Sequence, residues 1–210
     1  MREPKTLLQI HEDVHADHYD KGLKTNLFQK IWHERRFSEV RKVIRPVGGK
    51  VLDIGCHGGT FTEVILEKVG SNQIYGVDVS HTAIDYIKKK IPYGCFQVAP
   101  TEKLPFKNNT FDAVFCLEVL EHVDDPVLAV SEISRVLKKG GYGVILVPSD
   151  SKLFKIVWFI WTLHYSVWRH AHVQSFNGKK LEELIKNISL KIKSVKTFNL
   201  GMLKLLVFER

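Results

Sequence analysis

The sequence predicts a doubly wound α/β fold, in which a mostly parallel sheet carries helices on both faces. Two observations point there. Between Val51 and Val147 short apolar runs alternate with amphipathic helical stretches, the pattern of successive βαβ units. The run Val51-Leu52-Asp53-Ile54-Gly55-Cys56-His57-Gly58-Gly59 sets a tight glycine turn between the first strand and helix of that series. Such a turn lies at the carboxyl edge of a parallel sheet, where ligands bind.

The elements follow in order. Residues 26–44 read as a long helix with Leu27, Ile31, Phe37, Val40 and Ile44 on one side, ended by Pro46 and Gly48-Gly49. Strands are expected over 50–54, 73–77, 95–98, 113–117 and 143–147, with helices over 60–69, 82–89 and 126–137 between them. Gly70 and Gly140-Gly141 mark helix stops, because left-handed backbone is tolerated there. Residues 181–187 read as a helix, and strand-like runs at 191–198 and 203–208 close the chain as an antiparallel pair at the sheet edge.

A chain of 210 residues is expected to form a single domain, 1–210, with a core over 45–150, an N-terminal helical cap over 1–44 and an apolar lid insertion over 151–172. With 44% hydrophobic and 26% charged residues, the composition is that of a soluble globular protein. Cys56, Cys95 and Cys116 are odd in number and form no C-x-x-C pair, which argues against a disulfide framework or a thiolate zinc site and fits a reducing cytoplasm. The first residues are charged and His-rich with no apolar run, so no signal peptide is expected. The net charge of +8 admits a nucleic-acid or anionic-membrane partner, but the lysines between Lys179 and Lys196 are spaced as on an ordinary solvated surface.

The glycine turn discriminates between cofactors. Asp53 takes the place of the first glycine of G-x-G-x-x-G, and a pyrophosphate at a helix N-terminus is ill served by a fixed carboxylate. S-adenosylmethionine (SAM) has no phosphate, and its ammonium and sulfonium favour an acid. Asp78 follows the next strand about 20 residues beyond the turn, the spacing at which an acid accepts both ribose hydroxyls. Either aspartate alone would serve as a helix cap; the pair at this spacing favours the cofactor.

Four blocks in order, VLDIGCHGG, YGVDVS, TEKLPFKNNTFDAVFCLEVLEHV and VLKKGG leading into YGVILVP, resemble the class I SAM-dependent methyltransferases. Within them they resemble the small-molecule group that includes the ubiquinone- and menaquinone-pathway enzymes. The resemblance covers residues 50–148 and implies a Rossmann-like doubly wound, mostly parallel seven-stranded sheet with an antiparallel edge strand. It also implies that Gly55, Cys56 and Gly58 line the methionine part of SAM, Asp78 and Val79 the ribose and adenine, and Thr101 and Glu102 the adenine edge. Cys116 and Leu117 would pass beneath the sulfonium. Pro100 stands near where the family often has an aspartate for the adenine amino group, so backbone groups of Thr101 or Glu102 are expected to replace it. Arg36, in His33-Glu34-Arg35-Arg36-Phe37, stands where an arginine of the quinone-pathway relatives meets the SAM carboxylate. Tyr19 is a second candidate for that end.

The acceptor side is expected near 153–168, LFKIVWFIWTLHYSVW, the most hydrophobic stretch and too short to span a membrane. It reads as a mobile apolar lid for an apolar or aromatic acceptor, as a core helix, or as an interfacial helix in peripheral membrane contact. His122 is the candidate base, with Glu118 beside it and His164, His170 and His172 further on. Glu118-Val119-Leu120-Glu121-His122 matches E-x-x-E-H; on a helix these side chains would share a face and, with His172, could hold a divalent metal as in 2′-O-methyltransferases of small-RNA ends. The expected function is methyl transfer to oxygen or carbon of an apolar small molecule or lipid precursor. The alternatives are an RNA methyltransferase, a non-catalytic SAM-binding protein and a dinucleotide enzyme, the last disfavoured by Asp53.

Overall fold

The computed structural model describes residues 27–149, 151–164, 174–188 and 190–210, together with positions 12, 15 and 17. Helix α1 (Leu27–Val43) leads into β1 (Val51–Ile54), α2 (Thr60–Val69), β2 (Ile74–Asp78), α3 (His81–Lys90), β3 (Cys95–Val98) and β4 (Phe111–Leu117). A 3-10 turn (Leu120–His122) precedes α4 (Pro126–Val136), β5 (Leu137–Pro148), α5 (Lys152–His164), α6 (Lys180–Asn187), β6 (Lys191–Phe198) and β7 (Leu203–Glu209). The seven strands form one sheet in the order β3-β2-β1-β4-β5-β7-β6. Neighbours from β3 to β5 are parallel, and β7 lies antiparallel between β5 and β6.

Side chains alternate across the sheet, so β1 feeds two cores. Leu52 and Ile54 join Val114, Cys116, Val130, Ile133, Leu181 and Ile185 on one face. Val51 joins Phe37, Val40, Ile65, Ile84, Ile87 and Phe115 on the other. Burial on both faces explains why β1 and β4 read as continuous apolar runs. Local capping sets the helices: Ser80 accepts from the Ala83 amide at the start of α3, and Asp125 accepts from Val127 and Leu128 ahead of Pro126 at the start of α4. Gly70, in left-handed backbone at φ 68°, ends α2 as expected.

Two expectations are corrected in detail. Gly140-Gly141 do not stop a helix: α4 ends at Val136 and the glycines lie inside β5, where Leu137 pairs with Phe111 and Tyr142 already pairs with Ala113. The extra residues form a bulge, held by Gly140 N–H donating to the Arg210 carbonyl at 2.8 Å. Leu27 and Ile31 do not join Phe37 and Val40 in the core but are exposed. Helix α1 overhangs the sheet at that end, as its contacts at the site explain below.

The described part of the apolar insertion is α5. Phe154 is buried and its ring stacks on Trp158 at 5.8 Å, whereas Leu153, Ile156, Phe159 and Ile160 are exposed, so α5 is not a core helix along its length. Among the described residues no helix is long and apolar enough to cross a membrane. Tyr19, His170, His172 and the His164 side chain lie outside the described residues.

Candidate functional site

The carboxyl ends of β1, β2, β3 and β4 open on a cavity of about 270 Å³. The loop after β1 contributes Gly55, Cys56 and His57; the loop after β2, Asp78 and Val79; the loop after β3, Ala99, Pro100, Thr101 and Glu102. Leu117, Glu118, Val119 and His122 come from the end of β4 and its turn, and His33, Arg36 and Phe37 from α1.

The first loop is wound tightly by left-handed backbone at Gly55 (φ 68°), His57 (φ 42°) and Gly59 (φ 85°). A side chain at Gly55 would be doubly opposed, since its Cβ would fall 2.2 Å from Val119 Cγ2. Asp78 ties this loop to the next: Oδ2 accepts from the His57 amide and Oδ1 from the Ser80 amide, both at 2.9 Å. Each carboxylate oxygen keeps a second lone pair, so a residue that organises two loops can also accept a pair of hydroxyls from the cavity it lines.

Asp53 occupies a different position from the one its sequence context suggests. It is buried beneath the loop, outside the cavity lining, and accepts from Thr62 Oγ1 at 2.6 Å. Burial pushes its carboxyl up to about 7; the Thr62 hydroxyl opposes that rise and the nearby Asp78 charge adds to it. Gly58 is buried in the same turn and Cys116 faces the core with Leu52 and Ile54, both outside the lining. Burial raises the Cys56 and Cys116 thiols well above the ordinary cysteine value, and neighbouring carboxylates add to it, which disfavours both thiolates.

Arg36 enters from α1 and is almost wholly buried. Its Nη1 donates to Glu118 Oε2, its Nη2 contacts His33 Nδ1, and its guanidinium carbon lies 5.6 Å from the centre of the Phe61 ring. These contacts place the middle of α1 level with the carboxyl end of β4. Nine residues later Arg45 N–H donates to the Tyr142 hydroxyl at the opposite end of the sheet, so the first turns of α1 rise above the carboxyl edge. Sequence reasoning missed His33, Phe37, His57, Phe61 and Val119 as lining residues. His33 alone had a local signal, standing one helical turn before Arg36.

The E-x-x-E-H segment departs from the helix expected for it. Glu118 is in left-handed backbone at φ 60°, and the turn that follows is a 3-10 turn of three residues. Glu118 and His122 line the cavity, whereas Glu121 is 2% exposed and outside that lining. The α-helical spacing that would bring the three together is absent, and among the described residues no three His, Cys, Asp or Glu side chains stand where they could hold an ion. The donor set present does not fit the metal expected there.

A doubly wound sheet with a cavity over the tips of its central strands, an acid ending β2 and a glycine turn after β1 defines a nucleoside-binding α/β domain. The methyltransferase domain family matches residues 52–145. The demethylmenaquinone methyltransferase of Anoxybacillus flavithermus is 30% identical over 170 residues, 78% of this chain and 69% of that protein. The ubiquinone/menaquinone biosynthesis C-methyltransferase of Desulfotalea psychrophila is 33% identical over 152 residues, 70% of this chain. The match spans 61% of that relative's length, and 37% of an uncharacterized methyltransferase of Schizosaccharomyces pombe that is 38% identical over 104 residues. A SAM-dependent methyltransferase structure from Thermotoga maritima superimposes with a TM-score of 0.73 over 97% of this chain and 99% of its own, at 20% identity, which speaks to the fold. The chain belongs to the class I SAM-dependent methyltransferases.

Proposed function

We propose that the protein transfers a methyl group from SAM to oxygen or carbon of an apolar or aromatic small molecule or lipid precursor. The observation that carries this reading is Asp78, which spans two loops with its carboxylate and lines the cavity beside Gly55, where the backbone is bare. Asp78 would accept the ribose hydroxyls, Val79 and the Pro100–Glu102 loop would border the adenine, and Gly55 and Cys56 the methionine part. Glu102 is fixed for this by accepting from the Asp124 amide at 3.1 Å. Arg36 would take the SAM carboxylate, exchanging it for Glu118.

SAM supplies an activated methyl on a sulfonium, so the chain's own task is to align the acceptor and exclude water. Leu117 and Val119 give the cavity apolar lining, and His122, which also lines it, would receive a hydroxyl proton where the acceptor has one. No step is routed through a metal, since among the described residues no group of three or more His, Cys, Asp or Glu side chains could hold one. The quinone-pathway relatives support a small apolar acceptor. A reducing cytoplasm is the compartment proposed, on its three free cysteines.

Calorimetric titration with SAM and with NAD tests the cofactor; SAM should bind and NAD should not. Incubation of a cell extract with labelled SAM, followed by partition into lipid, RNA and aqueous small-molecule fractions, tests the acceptor. Label confined to RNA would replace this reading with the RNA methyltransferase alternative.

A further inference from the structure

We propose that the carboxyl edge of the sheet is a docking surface for an anionic lipid bilayer, so that an acceptor reaches the cavity directly from the membrane. The proposal deepens the lipid-like acceptor reading and rests on it, but its physical basis is separate. Three elements present exposed apolar side chains at this one edge. The first turns of α1 carry Leu27 (73% exposed) and Ile31, which lie roughly 13 Å and roughly 7 Å along the helix from Arg36 at 1.5 Å per residue. Helix α5, which leaves the sheet just after β5, exposes Leu153, Ile156 (58%), Phe159 and Ile160. The β6–β7 hairpin tip adds Leu200, 85% exposed, and is fastened to the same edge by Ser149 N–H donating to the Met202 carbonyl at 2.9 Å.

Leu200 gives the patch meaning beyond exposure. It lies between Asn199 and Gly201 in left-handed backbone, at φ 56°. Asparagine and glycine suit that conformation and leucine does not. A residue that fits its backbone poorly and buries almost nothing in the fold contributes where it can be buried, in an external apolar phase. Charge selects the phase. Lys152 and Lys155 on α5 are exposed and neither ammonium meets a described carboxylate; Arg35 is exposed on α1, where Lys30 pairs with Glu34 at 3.9 Å. The chain as a whole carries +8. An apolar helix face edged by lysines matches the boundary between acyl chains and anionic headgroups.

The test is co-sedimentation of the full chain with vesicles of phosphatidylcholine alone and of phosphatidylcholine mixed with phosphatidylglycerol. Wild type should bind the mixed vesicles more tightly and lose that advantage in high salt. Ile156→Glu should weaken binding by roughly tenfold or more, the scale of one apolar side chain withdrawn from an apolar phase. Leu200→Asn should also weaken vesicle binding while leaving the melting temperature unchanged or raised, an outcome that a leucine needed for the fold would not give. Equal binding to both vesicles, or unaltered binding by Ile156→Glu and Leu200→Asn, overturns the proposal. So does self-association of wild type, abolished by Ile156→Glu, without vesicle binding, which would make the face a protein interface. Vesicle binding requires no acceptor, so label confined to RNA would refute the acceptor reading and leave this measurement standing on its own.

Discussion

Replacing Asp78 tests the site most directly, and the structure shows why the substitution must be chosen with care. Asp78→Ala would leave the His57 and Ser80 amides without acceptors, the second of them buried, at a cost of about 2 to 5 kcal/mol from the fold itself. That is a large share of a typical domain's stability. Asp78→Asn keeps one acceptor oxygen, enough for one of these two amides, sets an NH2 donor against the other, and removes the charge. The two ribose hydrogen bonds then lose their charge assistance, which predicts about 1.5 to 3 kcal/mol, or SAM binding weaker by roughly 10- to 150-fold. Calorimetry with SAM, beside thermal melting without it, separates affinity from stability. A SAM analogue lacking the ribose hydroxyls should bind wild type and Asp78→Asn almost equally. An unchanged affinity for SAM in a folded Asp78→Asn protein would remove Asp78 from the site.

Other substitutions bear on neighbouring parts of the argument. Gly55→Ala should cost about 2 to 4 kcal/mol in denaturant titration, from left-handed backbone and the collision with Val119, and adding Val119→Ala should restore the collision part; absence of coupling would place the strain elsewhere. Arg36→Gln should weaken SAM binding about tenfold or more, and Glu118→Gln should strengthen it by freeing the guanidinium, so weakening in both would refute the exchange of carboxylates. Asp53 is held near 7 in the fold against an ordinary aspartate value of 3.8, so the folded state binds the extra proton between those limits and stability falls as pH rises through that window. Asp53→Asn should remove the slope and gain on the order of a few kcal/mol above neutrality, measured by chemical denaturation at several pH values; an unchanged slope would assign it to other groups.

Much of the fold was legible because its signals are local. Helix α2 was expected over 60–69 and occupies Thr60–Val69, and β3 and β6 have their expected limits. Each is bounded by turn residues and carries its apolar pattern within a few positions. The start of β5 was not legible. Its bulge depends on Gly140 meeting Arg210 and on β4 pairing from Phe111 onward, contacts between segments far apart in sequence. The loops of the cavity were legible because a parallel sheet puts strand ends beside one another, so Asp78 could be placed from its spacing to the glycine turn, and Thr101 from the family resemblance. What α1 adds was only partly so. Arg36 meets Glu118 across 82 positions, and the placing of Phe37 and Phe61 depends on how α1 lies over α2.

The misreading of E-x-x-E-H shows where local pattern stops being sufficient. Helical spacing was assumed from composition, yet Glu118 takes a left-handed conformation that bends the chain before any helix can form. Of the five non-glycine residues with positive φ among the described residues, Asn109, Asn199 and His57 are of types that tolerate it, and Glu118 and Leu200 are not. Those two stand at the same edge of the sheet, one in the cavity wall against Arg36 and the other at the apolar hairpin tip. A residue type at odds with its own backbone is maintained by something other than local preference. At Glu118 it is the ion pair with Arg36, and at Leu200, 85% exposed, no contact among the described residues plays that part. The conflict at Leu200 therefore directs attention outward, to the surface beside the cavity mouth.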